Sequence, residues 1–172
     1  MTRILGIDPG SRITGFGIID AESGKTQFVD CGTIRTPVGD LAGRLKSIFD
    51  GMSEIIEKYQ PQEIAIERVF MHKNPDSALK LGQARGAAIV AVMNYDLSVN
   101  EYTPAEVKKS IVGRGNAEKG QIQHMVRALL GLSRNPQADA ADALAIALTH
   151  IHVGQTMQRI KQVTTSRGGR YG

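Results

Sequence analysis

The sequence is short of several things, and each shortage excludes a class of protein. Cys31 is the only cysteine, so no disulfide can close within the chain and no Cys/His zinc cluster is available. No apolar run approaches the roughly 20 residues that a membrane-spanning helix needs. The N-terminus meets an acid at Asp8 after a very short apolar run, which is not the pattern of a secretory signal peptide. These features predict a cytoplasmic protein. Tryptophan is absent, and four phenylalanines and four tyrosines supply all the aromatic surface. That is too little for a broad stacking platform. No internal repeat is visible.

What is present fits one domain with a proper core. The chain has 172 residues, of which 41% are hydrophobic, the range of a soluble globular protein. Its net charge of +4 hides a gradient, because residues 143–172 carry four basic residues and no acid. Residues 68–134 hold ten Lys/Arg against five Asp/Glu. A basic excess beside a locally acidic site suits a polyanionic partner; a solvated surface is the alternative, and for the tail it is the simpler one. Residues 1–154 are expected to form the folded domain, and 155–172 a basic, flexible tail.

The first strand organises the rest. Ile4-Leu5-Gly6-Ile7 is a short apolar run ending at Asp8-Pro9-Gly10, and Ile13 to Asp20 runs back as its hairpin partner. Thr26 to Thr36 reads as a third strand. Asp40 then caps a helix with apolar positions at Leu41, Leu45, Ile48, Met52, Ile55 and Ile56. Glu63 to Glu67 is a fourth strand. Asn74-Pro75-Asp76 carries the cap, first-turn proline and first-turn acid of a helix start, and that helix is expected to reach about Tyr95. Gly82 and Gly86 share a face of it, at a cost of about 1 kcal/mol each in a helix interior. Either a partner helix in a homodimer or close packing on the sheet would account for them. Leu97 to Tyr102 is a fifth strand. Helices follow from Thr103-Pro104, from Asn116 to about Leu130, and from Gln137 to about Val153. The class is therefore α/β, a five-stranded mixed sheet with helices on both faces.

Four acids stand out by position. Asp8 and Glu67 each end an apolar strand. Asp139 and Asp142, three residues apart, lie on one face at the start of the final helix, in which six of the ten residues from 138 to 147 are alanine and permit close approach to a sheet. Taken singly, Asp8 could cap its turn and the helix acids could decorate a first turn. With the first and fourth strands adjacent, all four would meet at one sheet edge. Four carboxylates without interspersed bases make a hard oxygen site suited to Mg²⁺ or Mn²⁺, and paired ions of that kind are the apparatus of phosphodiester hydrolysis.

The run Leu5 to Arg12, the segment Ile66-Glu67-Arg68-Val69-Phe70, the stretch Ser77 to Gly86 and the block Asn135 to Ala147 closely resemble bacterial RuvC, the Holliday-junction resolvases. The resemblance extends to about His152. It implies a ribonuclease-H-like nuclease fold over 1–154 and a homodimer in which each subunit nicks one of two symmetric strands of a four-way DNA junction. It also implies two Mg²⁺ ions per site, with Mn²⁺ a plausible substitute, and work with the RuvA–RuvB branch-migration complex in recombination and repair. The family's metal-binding and catalytic acids fall on Asp8, Glu67, Asp139 and Asp142. Lys108 matches family lysines near the scissile phosphate, and Lys109 is its neighbour. Phe70 matches the aromatic that stacks on unpaired bases. Lys119 stands in the first turn of its expected helix, where a cation opposes the dipole unless a phosphate binds there. Arg12, Lys73 and Arg85 complete the DNA-binding candidates.

Two rival readings remain. Asp8-Pro9-Gly10-Ser11 also resembles the first phosphate loop of the actin and sugar-kinase group. Those proteins need two such domains and a second phosphate loop, and no second loop is visible here. A non-catalytic junction-binding module is the other; carboxylates beside DNA phosphates would then serve no purpose.

Overall fold

The computed structural model describes residues 1–69, 74–113 and 120–167, with residues 159 and 161–167 as backbone only. Its elements are β1 (Thr2–Asp8), β2 (Ile13–Glu22), β3 (Lys25–Arg35), α1 (Leu41–Tyr59), β4 (Glu63–Glu67), α2 (Pro75–Met93), β5 (Val99–Tyr102), α3 (Pro104–Val112), α4 (Gln121–Leu130) and α5 (Ala138–Arg167). One sheet runs in the order β3-β2-β1-β4-β5. The first three strands are antiparallel neighbours, and β4 and β5 run parallel to β1. The expected adjacency of β1 and β4 holds, with Ile7 beside Ile66.

Local sequence explains the element ends. The β2–β3 connection is a two-residue turn at Ser23-Gly24 with φ of 49° and 82°, both left-handed, as tight hairpins require. The Asp40 side chain accepts from the Gly43 amide at the start of α1. Asn74 caps α2 in the same way, and Thr103 with Glu106 forms a capping box on α3.

Strand alternation divides the core in two. Leu5, Ile7, Ile64 and Ile66 point to one face, under Ile48, Met52, Ile55 and Ile56 of α1 and the alanines of α2. Each such buried aliphatic contributes about 1.5–3 kcal/mol. Ile4, Ala65 and Tyr102 point to the other face, under α3, α4 and α5. Helices therefore cover both faces, as expected. α5 lies across β1 and β2 in near-backbone contact: a Cβ added to Gly6 would lie 2.1 Å from the Ala143 carbonyl oxygen.

Several boundaries differ from expectation. β5 begins at Val99 rather than Leu97, and α4 begins at Gln121, the anticipated cap Asn116 lying outside the described residues. α5 continues through Gly154 to Arg167, past the point at which composition alone set the end of the folded domain.

Candidate active site

The four acids come together through register and close packing. Asp8 lies opposite Gly15 in the β1–β2 ladder, and its side chain shares the α5 face with that of Ile4, four residues back along the pleat. Gly15 has no side chain to keep α5 away, and the Asp139 carbonyl oxygen sits where its Cβ would be. One helical turn on, Asp142 follows on the same face of α5. Glu67 ends β4 next to β1, and alternation sends its side chain to the α5 face as well, in line with Ala65. The parallel strands β1 and β4 thus both finish at this edge, beneath the N-terminal turn of α5.

The electrostatics show that these carboxylates feel one another. Burial pushes Asp8 up to about 8, and the charges of Asp142, Glu67 and Asp139 add to the rise. Glu67 is pushed up to about 7 by burial and by Asp142, while Lys108 pulls it down. Asp142 is raised to about 6 by burial and by Asp139, again opposed by Lys108. The Gly10 amide, which a turn-capping Asp8 could hold, donates instead to Thr14 Oγ1 at 3.3 Å. Among the described residues, no three His, Cys, Asp or Glu side chains close into a ready metal cage. An all-oxygen donor set whose carboxyl pKa values are pushed up by burial and by one another is what a hard divalent cation would neutralise.

The other candidates fall out differently. Lys108, half-buried on α3, is the cation that faces Glu67 and Asp142. Lys109 turns away, toward the α3–α5 groove that it lines with Ser110 and Met157. Arg12 is exposed on the loop beyond Asp8. Arg85 is mostly withdrawn from solvent, its side chain 19% exposed and bonded to Glu101 Oε2 at 2.7 Å. Phe70, Lys73 and Lys119 lie outside the described residues.

Sequence reasoning missed the bracing of the Asp8 loop. The Thr36 amide and hydroxyl donate to the Arg12 carbonyl at 3.0 and 3.2 Å, and the Arg44 guanidinium donates to the Ser11 carbonyl. Neither residue carries a motif. Only the β3-to-α1 connection brings them to this loop.

A mixed five-stranded sheet with acids ending two central strands and opening the crossing helix is the ribonuclease-H-like nuclease architecture. The model of the family described as crossover junction endodeoxyribonuclease RuvC matches residues 4–150. The chain belongs to the RuvC family. It is 63% identical over 160 residues to the crossover junction endodeoxyribonuclease RuvC of Sodalis glossinidius, covering 93% of this chain and 92% of that protein. To the protein of the same name from Serratia proteamaculans it is 60% identical over 162 residues, covering 94% of each. Among solved structures it is similar to Thermus thermophilus RuvC in complex with Holliday junction substrate, with 31% identity, a TM-score of 0.84, and coverage of 91% of this chain and 96% of that one.

Proposed function

We propose that this chain is an endonuclease that resolves four-way DNA junctions by paired, symmetric nicks, hydrolysing phosphodiester bonds with divalent cations. The observation that carries the reading is the convergence of Asp8, Glu67, Asp139 and Asp142, drawn from three distant segments, at one sheet edge where the charges of the other three act on Asp8. The names of its relatives and the junction bound by the Thermus thermophilus protein support the choice of substrate.

In this reading the four acids hold two Mg²⁺ ions, with Mn²⁺ able to substitute. When bound, such ions polarise the scissile phosphate and stabilise the attacking and leaving oxygens. The protein's own part is to present carboxylates whose mutual repulsion bound cations relieve, with the Lys108 charge already acting on two of them. Lys108, beside Glu67 and Asp142, is placed to attract the phosphate and neutralise part of its charge. Arg12, Lys73 and Lys119 would contact the backbone, and Phe70 would wedge between unpaired bases. The expected ends are a 5′-phosphate and a 3′-hydroxyl.

Paired nicks need two active sites, and α2 offers a surface for a homodimer. Leu79, Val90 and Met93 are 68%, 59% and 53% exposed. Between them a Cβ added to Gly82 or Gly86 would meet nothing within 4 Å. The glycines therefore do not serve packing on the sheet; they keep an outward apolar stripe low enough for a second helix to approach. RuvA–RuvB is the expected partner complex and the cytoplasm the expected location. Among the described residues no helix is long and apolar enough to cross a membrane.

The test is cleavage of a synthetic mobile four-way junction in Mg²⁺, with linear duplex as control and Asp8→Asn beside the wild type. Symmetric nicks by the wild type on the junction alone, lost in Asp8→Asn while binding persists, are expected. Binding without cleavage by the wild type in Mg²⁺ or Mn²⁺ would overturn the nuclease reading.

A further inference from the structure

The peptide that follows Glu67 is held at both of its polar atoms. Its carbonyl oxygen, that of Glu67, accepts from Arg85 Nε at 3.1 Å. Its N–H, that of Arg68, donates to the Tyr102 carbonyl at 2.8 Å, extending the β4–β5 ladder one step beyond the strand. Arg85 is itself fixed at its other end, its terminal nitrogen on Glu101 Oε2 at 2.7 Å. That same oxygen lies 3.3 Å from Arg68 Nε. The clamp belongs to the opposite side of the sheet from the acids: Arg85 rises from α2, and Glu101 alternates with Tyr102 on β5, away from the α5 face.

We infer that Arg85, anchored by Glu101, is a positioning residue for Glu67, and that it acts on the site through the main chain rather than through DNA. A peptide plane that cannot rotate fixes the direction in which the preceding Cα projects its side chain. The strand end is where such a restraint matters, because the ladder that orients Ala65 and Ile66 on both sides no longer does so for Glu67. Arg85 reaches two acceptors with a rigid fork, a geometry an ammonium group cannot copy. The inference rests on the nuclease reading above, since it assigns Glu67 a ligand's need for precise aim.

Arg85→Ala, Arg85→Lys and Glu101→Gln test it, in the full-length protein, with Mn²⁺ as the probe in calorimetric titration and junction binding measured in EDTA. Outer partners that orient a metal ligand typically contribute 10–100-fold to metal affinity or activity. Arg85→Ala is expected to weaken Mn²⁺ binding and raise the Mg²⁺ half-saturation of cleavage within that range, while metal-free junction binding is unchanged. Arg85→Lys should recover part of the loss. Glu101→Gln, which preserves shape, should move Mn²⁺ binding in the same direction and carries the test if Arg85→Ala does not fold. Wild-type Mn²⁺ affinity in these variants would overturn the clamp. So would a loss of EDTA junction binding matching the loss of cleavage, which would make Arg85 a DNA contact. A wild type that neither binds Mn²⁺ nor cuts would instead overturn the nuclease reading.

Discussion

Gly15 sits directly under the main chain of Asp139, so close that a Cβ added to it would lie 2.0 Å from the Asp139 carbonyl oxygen. That contact sets the height of α5 above the sheet at the point where the acids meet. Gly15→Ala must lift the first turn of α5. The expected cost is about 1–3 kcal/mol of stability, with a loss of cleavage larger than the fraction unfolded explains. Thermal melting and junction cleavage on the same preparation check this.

Asp8 should trade stability for chemistry. In the metal-free protein its acidity is displaced to about 8, from an ordinary value of 3.8. A carboxyl raised in the folded state binds protons more tightly there than when unfolded. Its stabilising contribution is complete below pH 4 and is lost as the pH rises toward 8. Asp8→Asn removes that loss. At pH 8 without metal the variant should melt higher than the wild type, at about 2–4 °C per kcal/mol for a chain of this size. Mg²⁺ should raise the wild-type melting temperature and leave that of the variant nearly unchanged. Scanning calorimetry with and without Mg²⁺ reads both effects.

Lys108 faces the acids and the expected path of the phosphate. Lys108→Met should weaken junction binding about equally for all sequences and reduce the slope of log affinity against log salt by about 1. Anisotropy titrations across a salt series measure it. An unchanged slope would mean that Lys108 serves only the acids.

The α2 stripe predicts a clean oligomeric phenotype. A charged side chain at Gly86 has open space within the protomer, so Gly86→Arg should fold normally. It should nevertheless turn a dimer into a monomer and convert paired nicks into single, uncoupled ones. Light scattering and a nicked-intermediate assay on a plasmid-borne junction distinguish these outcomes.

Arg3 and Asp20 give a prediction remote from the site. Two bonds of 2.8 Å join the guanidinium to the carboxylate, and Asp20 is 8% exposed. The hydrogen bonds from Arg3 hold the pKa of Asp20 below its usual value, so this stability is present above pH 4 and falls away as acid protonates Asp20. Arg3→Met should destabilise by about 1–3 kcal/mol through the unpaired acid left behind. The penalty should shrink on acidification, as chemical denaturation at two pH values would show.

Much of this was legible because local chemistry and tertiary structure agree. Asp40, Asn74 and Thr103 announce their helices through caps, and the acids at Asp8 and Glu67 are conspicuous because strand ends seldom carry unpaired charge. What was not legible depended on distance. The length of α5 was missed because Gly154 and the polar residues after it look like a terminus, although Gln, Met, Arg and Lys are all good helix formers. Gly82 and Gly86 fit two explanations until the sheet was seen to leave them uncovered. Arg85 looks like any surface cation in sequence. Only the meeting of α2, β4 and β5 shows that it is bonded inward.

Two of the four acids arrive on α5, about 70 residues after Glu67. A polypeptide still on the ribosome, or stalled short of residue 139, carries Asp8 and Glu67 but nothing to complete the set. On the proposed reading, such a chain holds half of the donor set and no more. On that reading the acid set is complete only once α5 docks, the same event that closes one of the two core clusters.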